Sequence, residues 1–349
     1  MTVRHAVVLV GGRGTRLWPL TASVPKGLVP LAGKPFLEYQ LERLTDVGVT
    51  KAWLAVGMDH EAAWRRYAAD WEGELELVVS VETEPLDTAG PITLLANELD
   101  DRFLVINGDV VFDVPLRGFI EEAPRAGIVL ALARVDDPSA YGVVVTDDDG
   151  LVERFVEKPA PGTAPADTVN AGIYLMERRV LAGFDAGPLS FERRVFPDLA
   201  ARKELGGVTV EGSWLDIGTP ELLMESHDAL LAGRTRLGTA RGHIADRSAV
   251  VDGERRGAWS WVGAGAVVER GAIVDESIIF EGAIVRRGAE VTNAVVGWRS
   301  DIGAGVKIRE LALIGADCTV GAGCELAGGL RLAPGTHLEP RAITFTPPR

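Results

Sequence analysis

A mostly parallel α/β sheet domain followed by a β-helix of hexapeptide repeats is the architecture that this 349-residue sequence predicts. Three observations carry it. Strand-like and helix-like segments alternate from His5 to about Leu231, and the alternation then fails in a stretch rich in Gly and Arg. Beyond that, an apolar residue recurs about every six positions almost to the end of the chain. Three parts follow: residues 1–232, a linker at 233–258, and 259–349.

The first part begins with "HAVVLV", a short buried-strand signal. "PFLEYQLERLTDVG" has Pro35 at its start and Gly48 at its end, the usual asymmetry of a helix. "KAWLAVG", "ELELVVSVE" and "RFLVING" add strands, and "DHEAAWRRYAADW" and "DTAGPITLLANEL" between them have helical spacing. In the last part, apolar residues fall at Val262, Val268, Val274 and Phe280 and slip by one to Val285 and Val291. They slip again to Val296, Ile302, Ile308, Ile314, Val320, Leu326, Leu332 and Leu338. Gly or Ala accompanies most repeats and suits tight corners. Cys318 and Cys324 stand one repeat apart, so they read as small coil residues rather than a metal pair. Trp259 and Trp261 flank the first coil as packing anchors.

Hydrophobic residues at 47% with charged ones at 25% fit a globular protein, and nothing approaches the run of about 18 apolar residues that a membrane helix needs. A net charge of −14 argues against nucleic-acid and anionic-membrane partners, both of which need basic surface. The first apolar run enters a glycine loop directly, without the longer apolar core and cleavage site of a secretion signal. With two cysteines and no disulfide framework, the expected location is cytoplasmic. Basic residues that bind an anion must therefore act locally.

They are concentrated in "LVGGRGTRLWPLTASVPKGLVP", where a strand leads into glycines and a helix, an arrangement that offers backbone N–H groups to phosphates. No lysine follows at Walker spacing, and a dinucleotide fingerprint from Gly12 would need glycine where Leu17 stands. What remains is Gly11, Gly12 and Gly14 allowing close backbone approach, with Arg16 just beyond and Lys26 at a Pro25 corner. Taken alone, the glycines also suit a plain turn. Two cations on a glycine cradle suit a polyphosphate.

"GGRGTRLWPLTASVPKGLVPLAGKPFLEYQLERL" resembles the signature of the sugar-1-phosphate nucleotidyltransferases, especially their mannose-1-phosphate guanylyltransferase branch. "EPLDTAGP", "INGDVVFD", "YGVVV", "FVEKP", "VNAGIYLM", "SFERRVFPDLA" and "WLDIGTPE" match in order, so the resemblance spans nearly the whole chain. It implies a Rossmann-like sheet and a left-handed sense for the β-helix. It also implies a nucleotide site at Leu9, Gly11, Gly12, Gly14, Thr15, Arg16, Lys26, Pro85, Asp87, Thr88 and Gly108. Gly142, Glu157, Lys158, Asn170 and Gly172 would meet the sugar phosphate.

Asp109 and Asp216 each end a strand-like segment, where open α/β sheets place ligands. Singly, each is an ordinary loop or cap residue; together they can share a Mg²⁺ that bridges a triphosphate and an incoming phosphate. The resemblance makes Arg16, Lys26, Asp109, Lys158 and Asp216 the catalytic set. The expected reaction is nucleotidyl transfer from an NTP, favouring GTP, to a sugar 1-phosphate, favouring mannose 1-phosphate, with release of pyrophosphate.

Two departures bear on this. Gly27 follows Lys26 where many relatives carry proline or alanine. Asp87 stands where they usually have glycine, and its carboxylate either accepts from a guanine edge or excludes the usual base. The alternatives are another base or acceptor, such as glucose 1-phosphate, heptose 1-phosphate or a cyclitol phosphate like valienol 1-phosphate, or a non-catalytic NDP-sugar-binding regulatory subunit. An acyltransferase finds little support in the lone His337. Scattered histidines disfavour zinc and covalent chemistry. Assembly into a homo-oligomer through the β-helix is expected from relatives.

Overall fold

The computed structural model describes residues 3–237 and 242–345. Two compact units account for them: Met1–Arg13 with Leu37–Trp214, and Gly14–Phe36 with Leu215–Arg349.

The first unit is built on one mixed sheet. Its path runs Val152–Glu157, Gly142–Thr146, Thr168–Glu177, Arg102–Asn107, His5–Leu9, Lys51–Gly57, Glu76–Glu82, and Ile128–Arg134 and Leu205–Thr209 branch from Thr168–Glu177. The apolar "AVV" of the first strand is fully buried between two parallel neighbours, Ala6 facing Ala52 on one side and Leu104 on the other. Such burial on both faces is why these strands read as continuous apolar runs. The parallel rhythm holds through Glu82. Beyond it, Thr168–Glu177 runs antiparallel to Arg102–Asn107 and to Ile128–Arg134, so the sheet is more mixed than the rhythm alone implies.

The helix Phe36–Asp46 starts and stops where Pro35 and Gly48 place it. Gly48 takes a positive φ of 87°, its N–H reaching the Thr45 carbonyl while the Val49 N–H reaches back to Leu44. That is a Schellman ending, and a Cβ at Gly48 would strain it. The helical pattern in "DTAGPITLLANEL" shortens to Gly90–Leu94, followed by turns.

The second unit holds a left-handed β-helix whose strands fall, among the described residues, into three parallel sheets of six, six and five. Each interior residue stacks on its counterpart one coil on. Val262, Ile279, Val296, Ile314 and Leu332 form one such row, and Val268, Val285, Ile302, Val320 and Leu338 another. The first row corrects the sequence reading. Ile279 occupies the interior position expected for Phe280, and Phe280 instead stacks on Trp298 at 4.3 Å and meets Trp261 edge-on outside the row. Both residues are apolar, so period alone could not choose between them.

The stretch expected as a linker already contains coil strands. His243–Ala245, Val250–Val251 and Glu254–Arg256 pair in parallel with the next coil, while its residues 238–241 lie outside the described residues. As a terminal coil it is covered on one side, and Ala245 and Val251 are only partly buried, so its apolar signal is weak. Cys318 and Cys324 are free thiols in the interior, where burial raises the Cys318 pKa, as expected of coil residues. Tight winding shows at Gly297, where a Cβ would lie 2.5 Å from the backbone of Gly315.

Candidate functional site

In the first unit, the expected residues gather at the carboxyl edge of the parallel strands. The Leu9 carbonyl accepts from the Gly108 N–H at 2.9 Å, which ties the end of the first strand to the turn that carries Asp109. A Cβ on Gly108 would stand 2.5 Å from that carbonyl, so the close approach requires glycine. The buried Gln40 amide donates to the carbonyls of Asn107 and Val110 on either side of the turn. Asp109 is thus a half-buried carboxylate on a turn fixed from two directions.

Gly11 lies against Glu82: a Cβ there would fall 2.6 Å from Glu82 Oε1, whereas Gly12 opens on free space. Glu82 closes its strand and accepts from the Leu86 N–H at 3.2 Å; burial raises its carboxyl pKa above the ordinary range. It therefore faces both the glycine loop and the segment Pro85–Thr88. Within that segment, Asp87 adopts a φ of 62°, accepts from the Thr88 N–H, and is ion-paired with Arg193. Thr88 Oγ donates to Glu192 at 2.9 Å and accepts from the Phe191 N–H. The Asp87 carboxylate proposed for a base edge is thus already engaged by a guanidinium.

The sugar-phosphate candidates fall into two adjoining groups. Gly142 faces Glu157 across its strand pair, and a Cβ on it would lie 3.0 Å from Glu157 Oε2. Lys158 reaches Glu157 at 3.2 Å, takes a positive φ of 43°, and has a mostly exposed side chain. Asn170 accepts from the Gly172 N–H and donates to the Tyr174 hydroxyl, each at 3.0 Å. Gly172, with φ 72°, sits where a Cβ would meet the Asn107 amide at 2.8 Å. Val169 pairs with Val143, which joins the two groups.

In the second unit, Gly14 enters with φ 60° and Thr21 Oγ donates to its carbonyl at 2.9 Å. A Cβ there would meet Thr21 at 2.9 Å and Lys26 Cβ at 3.1 Å, so Gly14 is what lets the two ends of the loop close. Thr15–Leu17 and Lys26–Leu28 are single 3₁₀ turns, anchored by the fully buried Leu17, Leu20 and Val29. Arg16 and Asp216 come together at Gly218, where a Cβ would stand 3.0 Å from Arg16 Nη2 and 2.9 Å from Asp216 Oδ1. Thr219 Oγ then caps the helix Pro220–Leu231. Gly27 is buried in its turn, and no feature of the structure explains its choice.

The unit thus sets two cations and a carboxylate around glycines, an arrangement that suits a polyphosphate with its counter-ion. No cluster of three or more His, Cys, Asp or Glu able to hold a metal occurs among the described residues. Sequence reasoning missed Glu82, Gln40, Glu192 and Gly218. Gln40 did leave a signal, being the polar member of an otherwise apolar face with Leu37, Leu41 and Leu44.

Residues 5–233 match the profile of the nucleotidyl transferase family, and residues 242–335 that of the GMPPB C-terminal domain. The chain is 35% identical over 334 residues to probable mannose-1-phosphate guanylyltransferase 3 of Oryza sativa subsp. japonica, covering 89% of this chain and 91% of that protein. It is 36% identical over 330 residues to the mannose-1-phosphate guanylyltransferase catalytic subunit beta of Drosophila pseudoobscura pseudoobscura, covering 90% and 88%. Among solved structures, HddC from Yersinia pseudotuberculosis complexed with GMP-PN is similar with a TM-score of 0.56 at 28% identity, over 65% of this chain and 99% of that one.

Proposed function

We infer the reaction from one premise: the chain belongs to the nucleotidyl transferase family. The reading is transfer of a guanylyl group from GTP to mannose 1-phosphate, giving GDP-mannose and pyrophosphate. A phosphate oxygen of the sugar phosphate attacks the α-phosphorus. The new P–O bond forms as the bond to the bridging α–β oxygen breaks, and that oxygen leaves with pyrophosphate. Positioning and charge neutralisation carry such a step. The two-cation loop is the observation that supports it most directly, since Arg16 and Lys26 suit the triphosphate and its developing charge.

Lys158 would hold the acceptor phosphate and Glu157, Asn170, Gly142 and Gly172 its sugar. Leu9, Gly11, Gly12, Gly14, Thr15, Pro85, Asp87, Thr88 and Gly108 would line the nucleotide. Asp109 and Asp216 offer half-buried hard oxygen donors, the chemistry that Mg²⁺ takes, and would hold it. When bound, the ion adds positive charge at the phosphates. The reading extends to a cytoplasmic location and to self-association through the β-helix; no described helix is long and apolar enough to cross a membrane.

A pyrophosphate-release screen of the purified protein tests this, with GTP, ATP, UTP, CTP and dTTP against mannose, glucose and heptose 1-phosphates and valienol 1-phosphate. GTP with mannose 1-phosphate should give the highest kcat/KM. A different best pair would reassign base or acceptor, and no turnover with any pair would overturn the reaction.

A further inference from the structure

One face of the β-helix is apolar on its outside. Alternate residues of a strand point to opposite faces, so the row beside the interior Val262–Leu332 row points outward. That row runs Trp261, Ile278, Val295, Leu313, Arg331 in successive coils. Its four apolar members are nevertheless 4% exposed or less, so the row is covered rather than open to solvent.

The two ends of the row meet the signature segment. At the first, Trp261 Nε1 lies 3.6 Å from where a Cβ on Gly33 would be, and His227, near the Trp261 ring, accepts from the Ala32 N–H at 3.2 Å. At the other, Arg331 Nη1 donates to the carbonyls of Arg16 and Trp18, at 3.0 and 3.2 Å. The Leu17 and Trp18 N–H groups already use the Gly14 and Thr15 carbonyls in the 3₁₀ turn. Arg331 therefore binds carbonyls that the turn does not use internally, and one nitrogen clamps both sides of Leu17.

We propose that Arg331 is a positioning residue for the nucleotide loop: from the β-helix it fixes the backbone at Arg16 and so sets the Arg16 guanidinium beside Asp216. The clamp is exposed, so its effect falls on loop geometry rather than on global stability. Its positive charge also adds to the local field that a polyanion meets. The link to catalysis rests on the reaction proposed above; the clamp itself does not.

Arg331→Met keeps length and removes the donors, while Arg331→Lys keeps donors. In the methionine variant, kcat/KM for GTP should fall about five- to tenfold, the scale of a lost hydrogen bond at an exposed site. The KM for mannose 1-phosphate and the melting temperature should stay unchanged. Amide exchange at Leu17 and Trp18, measured without substrates, should accelerate in that variant, and the lysine variant should recover much of both losses. Unchanged exchange in Arg331→Met would overturn the clamp, whatever nucleotide the protein uses. Accelerated exchange with unaltered GTP kinetics would overturn its role in the reaction. An equal fall for both substrates together with a lower melting temperature would make the residue merely structural.

Discussion

The two units hold their chemistry in different ways. In the first, Asp109, Glu82, Glu157 and Asn170 stand at or beside the ends of sheet strands, and each is fixed within its own strand or by an adjoining strand or turn. The strand order therefore does the positioning. In the second, Arg16 and Lys26 lie on a segment of single 3₁₀ turns, and its holders, Asp216, His227 and Arg331, come from the far half of the chain. Short turns lack the cooperative ladder of a sheet, so this loop depends on contacts made after the chain has closed on itself. A substitution that harms function without harming the fold is thus easiest to find in the second unit.

Lys26→Ala puts the largest strain on that contrast. It should cost about 10² to 10³ in kcat/KM for GTP, the scale of one lost electrostatic donor, with an unchanged circular dichroism spectrum. A fall in thermal stability would mean that the lysine holds its loop as a structural member.

Ile314→Ala should do the reverse. Its side chain is fully buried inside the β-helix, and truncation should cost about 3 kcal/mol in denaturant unfolding while activity per folded molecule persists. Loss of turnover at a temperature where the protein remains folded would show that coil packing reaches the reacting groups.

His227 gives a pH signature to the second unit. Burial lowers its pKa to about 4, against an ordinary value of 6.5; Nδ1 faces the Leu223 carbonyl and Nε2 accepts from Ala32. The unfolded chain binds the proton more readily, so this group's contribution is complete above pH 6.5 and is lost as pH falls toward 4. The total is on the order of 3 kcal/mol. Thermal melts should show that decline in the wild type and a flatter profile in His227→Gln; parallel profiles would deny the histidine this role.

Asp87→Gly should move stability least. Asp87 occupies a left-handed conformation that glycine adopts without strain, worth about 1 kcal/mol, and loses with substitution an ion pair to the mostly exposed Arg193, worth up to about 1 kcal/mol. The terms cancel, so the melting temperature should hold while the ratio of GTP to ATP turnover reports whether Asp87 touches base choice.

Legibility in the sequence followed the same divide. Local patterns announced the strands, the Pro35-to-Gly48 helix, the coil period and the residues Gly14, Arg16, Lys26 and Asp109, because each lies in a contiguous motif. Phe280 and Ile279 could not be ranked, since period tolerates either and only stacking from one coil to the next decides. Glu82 and Arg331 were invisible as actors, and Gln40 showed only as a polar residue on an apolar helix face. Arg331 and Gln40 each hold two backbone carbonyls distant in the chain and Glu82 the nearby Leu86 N–H, and such side-chain contacts impose no repeat, cap or spacing on the sequence around them.

The outward row from Trp261 to Arg331 bears on how such chains can diverge. Because the signature segment clusters with the far half of the chain, recombination near residue 233 would separate a loop from the surface that seats it. A β-helix acquired from another lineage would bring its own seat. Descendants of such an exchange would need compensating changes at Gly33, Trp18 or the row itself before the arginine loop regained its set.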